Sequence, residues 1–298
     1  MMTNFFNREQ TTVLRGIAAL MIVVLHVAIA WECHRVVNLP GSVFISAFIV
    51  MSGYGLNESY KRVGLEGYWR RRMRRIVVPW WAYLCVLYLI KGFPGWKAAV
   101  LEAVFIDTDY WFMTFIMWSY LTYWASRKLF KKSWMMVLVV FGFVSLNMME
   151  QMAAEQSFSF LAGVWLSEHI TEVRSWPLRR ALKIALVSMC IGLFFVALKE
   201  IPAVHALKYT LAYHYILLMI KLPLAVPMLL LPLLIPALCK SRLLWLSGIA
   251  SLEIYLVHLP MMFWTAHSWP RLGIFVVLTV VLSWAYYQVN NRVIPRLL

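Results

Sequence analysis

The chain has 298 residues, 62% of them hydrophobic and only 14% charged, with a mean hydropathy of +0.73. That composition excludes a soluble domain and points to an all-α integral membrane protein with many spanning helices. Strands of alternating polarity, the mark of a membrane barrel, do not occur, and the net charge of +15 is spread over loops rather than gathered into a nucleic-acid-binding face.

Ten apolar segments follow one another, at about 13–31, 40–58, 76–91, 110–127, 133–149, 154–169, 180–198, 210–238, 243–265 and 271–290. Most are long enough for helices that cross ~30 Å of hydrocarbon; the third and sixth are short. The first carries Arg15 and His26, eleven residues apart. Three turns of helix place both on one face, roughly 16 Å apart along the axis. A histidine that deep needs a partner or a purpose, and a hydrogen bond to a neighbouring helix would be a purely structural one. Ala28-Ile29-Ala30 imitates a cleavage site, but further spans follow, so the segment is expected to be retained.

Ahead of the third segment stand five arginines within Arg70–Arg75, interrupted by Met73. Such a cluster serves topology and anionic-lipid contact first; Arg72 and Arg75, one turn apart, also suit the phosphates of a nucleotide. Asp107, Asp109, Tyr110 and Trp111 precede or open the fourth segment, where a ring could stack on a sugar or only anchor the interface. The eighth segment holds Pro223, Pro227, Pro232 and Pro236 and reads as one kinked span, with two re-entrant pieces as the alternative. In it His214 and Lys221 share nearly one face. The ninth places Glu253 near mid-depth, where a charge costs ~2.5–3.5 kcal/mol, so the carboxyl needs a partner from another span or a role in a site. Tyr255 and His258 are i,i+3 neighbours there, whereas Glu253 and His258 lie about 140° apart.

Basic residues favour alternate loops. Arg8, Lys61, Arg62, the Arg70–Arg75 run, Arg127, Lys128, Lys131, Lys132, Arg174, Arg179, Arg180, Lys183, Lys240, Arg242, Arg292 and Arg296 make 20 on one side. Arg35, Lys91, Lys97, Lys199, Lys208 and Arg271 make 6 on the other. By the positive-inside rule both termini are cytoplasmic, which an even span count requires. Cys33, Cys85, Cys190 and Cys239 have no metal-ligand spacing and are expected to pack. No repeat, low-complexity tract or soluble domain interrupts the chain, so residues 1–298 are expected to form a single transmembrane domain.

Four stretches carry a resemblance. Leu14-Arg15-Gly16 with His26 gives an arginine, ten residues, then a histidine; Phe48-Ile-Val-Met-Ser52-Gly53-Tyr54 follows in the second segment. Tyr68-Trp-Arg-Arg-Arg-Met-Arg-Arg-Ile-Val-Val-Pro79-Trp80 leads into the third, and Ser251-Leu-Glu253-Ile-Tyr255-Leu-Val-His258 lies in the ninth. In order and spacing these resemble the acyltransferase-3 membrane acyltransferases, which O-acylate cell-envelope glycans and related acceptors. The middle of the chain departs from many members: Asp109-Tyr-Trp-Phe-Met-Thr-Phe-Ile-Met-Trp118 stands where they carry a Trp-Ser-Leu-x-x-Glu-Glu segment. That departure bears on the acceptor rather than on the chemistry.

The resemblance implies an O-acyltransferase, most simply an acetyltransferase, in the inner or plasma membrane, with acetyl-CoA or another acyl-CoA as donor substrate and a carbohydrate or glycolipid as acceptor. Acyl transfer needs a general base and stabilisation of the oxyanion. His26 would be the base and Arg15 would fix the donor or the local charge. Arg72 and Arg75 would hold the donor phosphates, and Ser52, Trp111, Glu253, Tyr255 and His258 would line or support the cavity. An exporter or polymerase of lipid-linked glycan would share the polar lumen and basic loops, but has no need of an arginine and a histidine three turns apart beside a cytoplasmic arginine pair.

Overall fold

The computed structural model describes residues 2, 5–32, 34–262 and 268–292, and all regular structure among them is helical. Cys33, Arg296 and the end of the expected ninth span at 263–265 lie outside the described residues. Asn7 caps α1 (Arg8–Ala30), its side chain accepting from the Gln10 amide at 2.8 Å, as a short polar residue ahead of an apolar run should. α2 (His34–Val63) is followed by α3 (Tyr68–Arg72), which continues through a π-helical turn at Met73–Val77 into α4 (Val78–Lys91). Gly92, at φ 92, ends that rod in a conformation only glycine adopts freely. α5 (Trp96–Ala103) lies beside it, tied down by the Trp80 indole donating to the Glu102 carbonyl at 3.1 Å and the Trp81 indole donating to the Ala103 carbonyl at 3.0 Å.

α6 (Trp111–Leu129), α7 (Trp134–Met148), the single turn α8 (Gln151–Ala154), α9 (Ser159–Glu168) and α10 (Ile170–Ser175) form the middle. α11 (Leu178–Lys199), the turn α12 (Pro202–His205), α13 (Leu211–Leu229) and α14 (Leu231–Leu234) come next. α15 (Arg242–Ile249), α16 (Ser251–Met261) and α17 (Trp269–Arg292) complete the order.

Each expected segment falls on a helix, yet among the described residues six stretches are long and apolar enough to cross a membrane: α1, 38–63, the α3–α4 rod, α11, the α13–α14 stretch and α17. The eighth segment is thus one stretch, Leu211–Leu234, as expected, since Pro223 and Pro227 are accommodated within α13. Three expectations need correction. The ninth segment is not one straight helix: α15 and α16 meet at 83° about Ala250, and count as a seventh span only if taken together. The sixth shrinks to the ten residues of α9, because Glu155, Gln156 and Ser157 before it are buried polar residues in a turn. The third starts earlier than 76, so the arginines belong to the helix and not to a loop.

α2 is the axis of the bundle, packing on α1, α9 and α13. Where α2 crosses α9 the backbones nearly touch: a Cβ on Gly53 would lie 2.2 Å from the Phe160 carbonyl oxygen, and one on Gly163 1.9 Å from that of Val50. A second crossing joins α1 to α15, with Gly16 facing the Leu244 carbonyl and Gly248 that of Thr12. Small residues permit such approaches in membranes, where packing rather than water exclusion drives association. The outward faces are apolar, as Leu186, Val187 and Phe194 on α11 and Val276, Val277 and Val280 on α17 show by their exposure. Cys85 and Cys190, expected to pack, are also exposed.

One buried polar knot ties the helices at the basic end. Arg127 donates to Asn57 Oδ1 at 2.6 Å and to Glu168 Oε1 at 3.1 Å, and its guanidinium lies 3.2 Å from the centroid of the Trp134 ring. Asn57 also accepts from the Tyr123 hydroxyl at 2.6 Å, so α2, α6 and α9 share one satisfied network.

Candidate active site

A cavity of about 1650 Å³ runs along α1, lined by Arg8, Thr12, Arg15, Ala19, Ile22 and His26 in succession. The three-turn interval therefore does what its spacing predicts: both singled-out side chains face one space. The Arg15 Nε donates to the Thr11 carbonyl and its Nη2 to Thr12 Oγ1, both at 3.3 Å, so the guanidinium is braced by its own helix.

The basic end gathers more cations than expected. Arg72 and Arg75 line the cavity, and so do Arg62, Arg71 and Arg74. Arg72 lies over the Tyr68 ring, 4.4 Å from its centroid, and 5.5 Å from that of Tyr120. Arg71 donates to the Glu66 carbonyl at 2.6 Å. The Nε atoms of Arg71 and Arg74 are buried without a hydrogen-bond partner, a costly state unless an anion satisfies them. The π-helical turn at Met73–Val77 splits the run; such turns recur at functional sites. Arg8, Arg62, Arg71 and Arg74 were read only as loop charges, and nothing in their order along the chain tells a cavity-facing arginine from a lipid-facing one.

At the other end His26 meets a second histidine. His258 Nε2 lies 3.2 Å from His26 Nδ1, with ring centroids 4.9 Å apart. His26 Nδ1 is also 2.9 Å from the Ile22 carbonyl, and His258 Nδ1 2.9 Å from that of Ile254. A carbonyl only accepts, so both Nδ1 atoms carry the proton and both Nε2 atoms keep a lone pair. His26 is half-buried at the cavity wall, whereas His258 is fully buried behind it and does not reach the cavity.

Ser52, Trp111, Glu253 and Tyr255 line the same space. The Ser52 hydroxyl donates to the Phe48 carbonyl at 3.0 Å. Trp111 opens α6 beside exposed Asp109, while Tyr110 turns inward and pairs with the Tyr83 hydroxyl. The Tyr255 ring packs 5.2 Å from Phe112 and 5.9 Å from His258. Glu253 has its partner in Asn290 of α17, which donates to Oε1 at 2.9 Å. His214 turns away toward the Leu146 carbonyl at 3.4 Å, but Lys221 lines the cavity in a buried ion pair with Glu155. At the rim Lys199 donates to Glu200 and holds that exposed carboxyl below the usual range.

The profile of the acyltransferase-domain family, acyltransferase-3, matches residues 10–288. The chain belongs to the acyltransferase-3 family. No curated protein and no solved structure matches it. As a multi-pass membrane acyltransferase it encloses, in one cavity, a cluster of guanidiniums and an imidazole with a free lone pair, which are the groups that anion binding and proton abstraction require.

Proposed function

We propose that this acyltransferase moves an acetyl or other short acyl group from acyl-CoA to a hydroxyl of a cell-envelope carbohydrate, and that it lies in the inner or plasma membrane with ten spans, several of them short, and both termini cytoplasmic. The observation that carries the reading is the single cavity with Arg71, Arg72, Arg74 and Arg75 at one end and His26 toward the other. Coenzyme A brings several phosphate charges on a long flexible arm, and the guanidinium cluster suits them. Arg15, braced toward the N-terminal end of α1 by Thr11 and Thr12, adds its charge to the guanidinium end of the cavity and faces the path of the donor. His26 Nε2 takes the proton of the acceptor hydroxyl as its oxygen attacks the acyl carbon. Trp111 and Tyr255 offer aromatic faces to a sugar ring.

The test is acyl transfer by His26→Ala. Loss of a general base costs ~10²–10⁴ in rate, so transfer should nearly vanish at normal expression. His26→Gln should not rescue it, since an amide cannot carry the proton. Near-normal transfer by His26→Ala would remove His26 as the base, whereas no acyl transfer by the unaltered protein would return the exporter reading. Mass spectrometry of the envelope glycan from a deletion strain separates the two, an exporter losing the polymer and an acyltransferase only its acyl groups.

A further inference from the structure

Resting on that reading, we infer that His258 is the positioning residue of the base: a neutral second imidazole that fixes the tautomer of His26 and accepts its Nδ1 proton while His26 is charged. The argument begins with the hydrogen bonds. The Nδ1–H of His26 is shared between the Ile22 carbonyl at 2.9 Å and His258 Nε2 at 3.2 Å. The second of these exists only if His258 keeps its own proton on Nδ1, and the Ile254 carbonyl at 2.9 Å holds it there. Two backbone carbonyls, one on α1 and one on α16, thus set a directed chain that ends in a free lone pair on His26 Nε2, at the cavity wall.

The step then balances. The acceptor O–H proton passes to His26 Nε2 while its oxygen bonds to the acyl carbon of the thioester. The tetrahedral intermediate collapses, the carbon–sulfur bond breaks, and the thiolate takes the proton back from Nε2. While His26 is an imidazolium, its Nδ1–H bond to His258 is charge-assisted and stronger than in the resting state. Stabilisation is therefore greatest when charge is present, which is what accelerates a step.

The choice of histidine follows from the surroundings. A carboxylate in this place would be an extra buried charge in the resting enzyme and costly to desolvate. The one carboxyl on α16, Glu253, is engaged with Asn290 instead. Among the described residues the His26 and Tyr255 rings lie beside His258, and its neighbours on α16, Leu256 and Val257, are buried and apolar, so a neutral acceptor suits the site.

The experiment uses the purified full chain in detergent, with acetyl-CoA and isolated envelope polysaccharide, following thiol release. His258→Leu should lower kcat by roughly 10–10³-fold with the KM for acetyl-CoA unchanged. His258→Gln, whose Oε1 accepts the same proton, should recover most of the loss. Adding His258→Leu to His26→Ala should lower the residual rate no further, because the two act as a unit. An unchanged kcat in His258→Leu, a Gln variant no better than Leu, or losses that multiply in the double variant would each overturn the pairing. Should His26→Ala alone transfer normally, the base falls and the pairing with it. Histidine ¹⁵N shifts of the unaltered protein give a measurement that needs no variant: unprotonated Nε2 on both rings is expected, and a protonated Nε2 on either overturns the inference.

Discussion

Arg72 illustrates how much a single residue can be asked to do. Its guanidinium lies over the Tyr68 ring and near that of Tyr120, contacts that restrict its motion before any ligand arrives. Lysine would keep the charge and lose the plane. Charge reversal of both Arg72 and Arg75 should weaken acetyl-CoA binding at least tenfold, about 1.4 kcal/mol or more, while the protein still inserts; isothermal titration on purified protein measures it, and full affinity would leave the pair as topology determinants. Spacing within one helix made Arg15, His26, Arg72 and Arg75 legible in the sequence. Partners across the fold were not: His258 is 232 positions from His26, and Asn290 is 37 from Glu253. Linear order carries no record of which buried groups a fold brings face to face.

Among the elements, two crossings hold the frame, and both depend on the absence of a side chain. At Gly163 the Val50 carbonyl oxygen occupies the place a Cβ would take, and backbone atoms cannot rotate away as a flexible side chain can. Gly163→Val should therefore cost at least about 1–3 kcal/mol through overpacking. A lower thermal midpoint in detergent, with acetyl-CoA affinity falling in step, would register it; an unchanged midpoint would mean that α9 moves freely on α2. Every expected segment corresponds to a helix because apolar runs and caps such as Asn7 and Thr210 act locally. The break at Ala250 and the π-helical turn at Met73–Val77 escaped the reading. The first lies inside an apolar run and the second at the edge of one, and a bend or a turn widened to i→i+5 hydrogen bonds leaves no mark in hydropathy.

For the molecule as a whole the sidedness of the charges makes the strongest demand. Reporter fusions after residues 35, 104, 152, 205 and 268 should lie outside the cytoplasm, and those after 65, 130 and 175 inside, because the basic loops divide 20 to 6. Two successive loops on one side would show that a short element such as α9, with its ten residues, dips into the bilayer without crossing. The bent pair α15–α16 has a further consequence. Its first half touches α1 at Gly16 and its second half touches it again at His26, ten residues and about 15 Å along the same axis. Gripped at two points, α1 can neither slide nor spin, and the interval from Arg15 to His26 becomes a gauge of fixed length. If the proposed donor is held by its phosphates at the arginines, its carbonyl meets the imidazole only when its arm matches that gauge, and donors would then be sorted by reach as well as by acyl group.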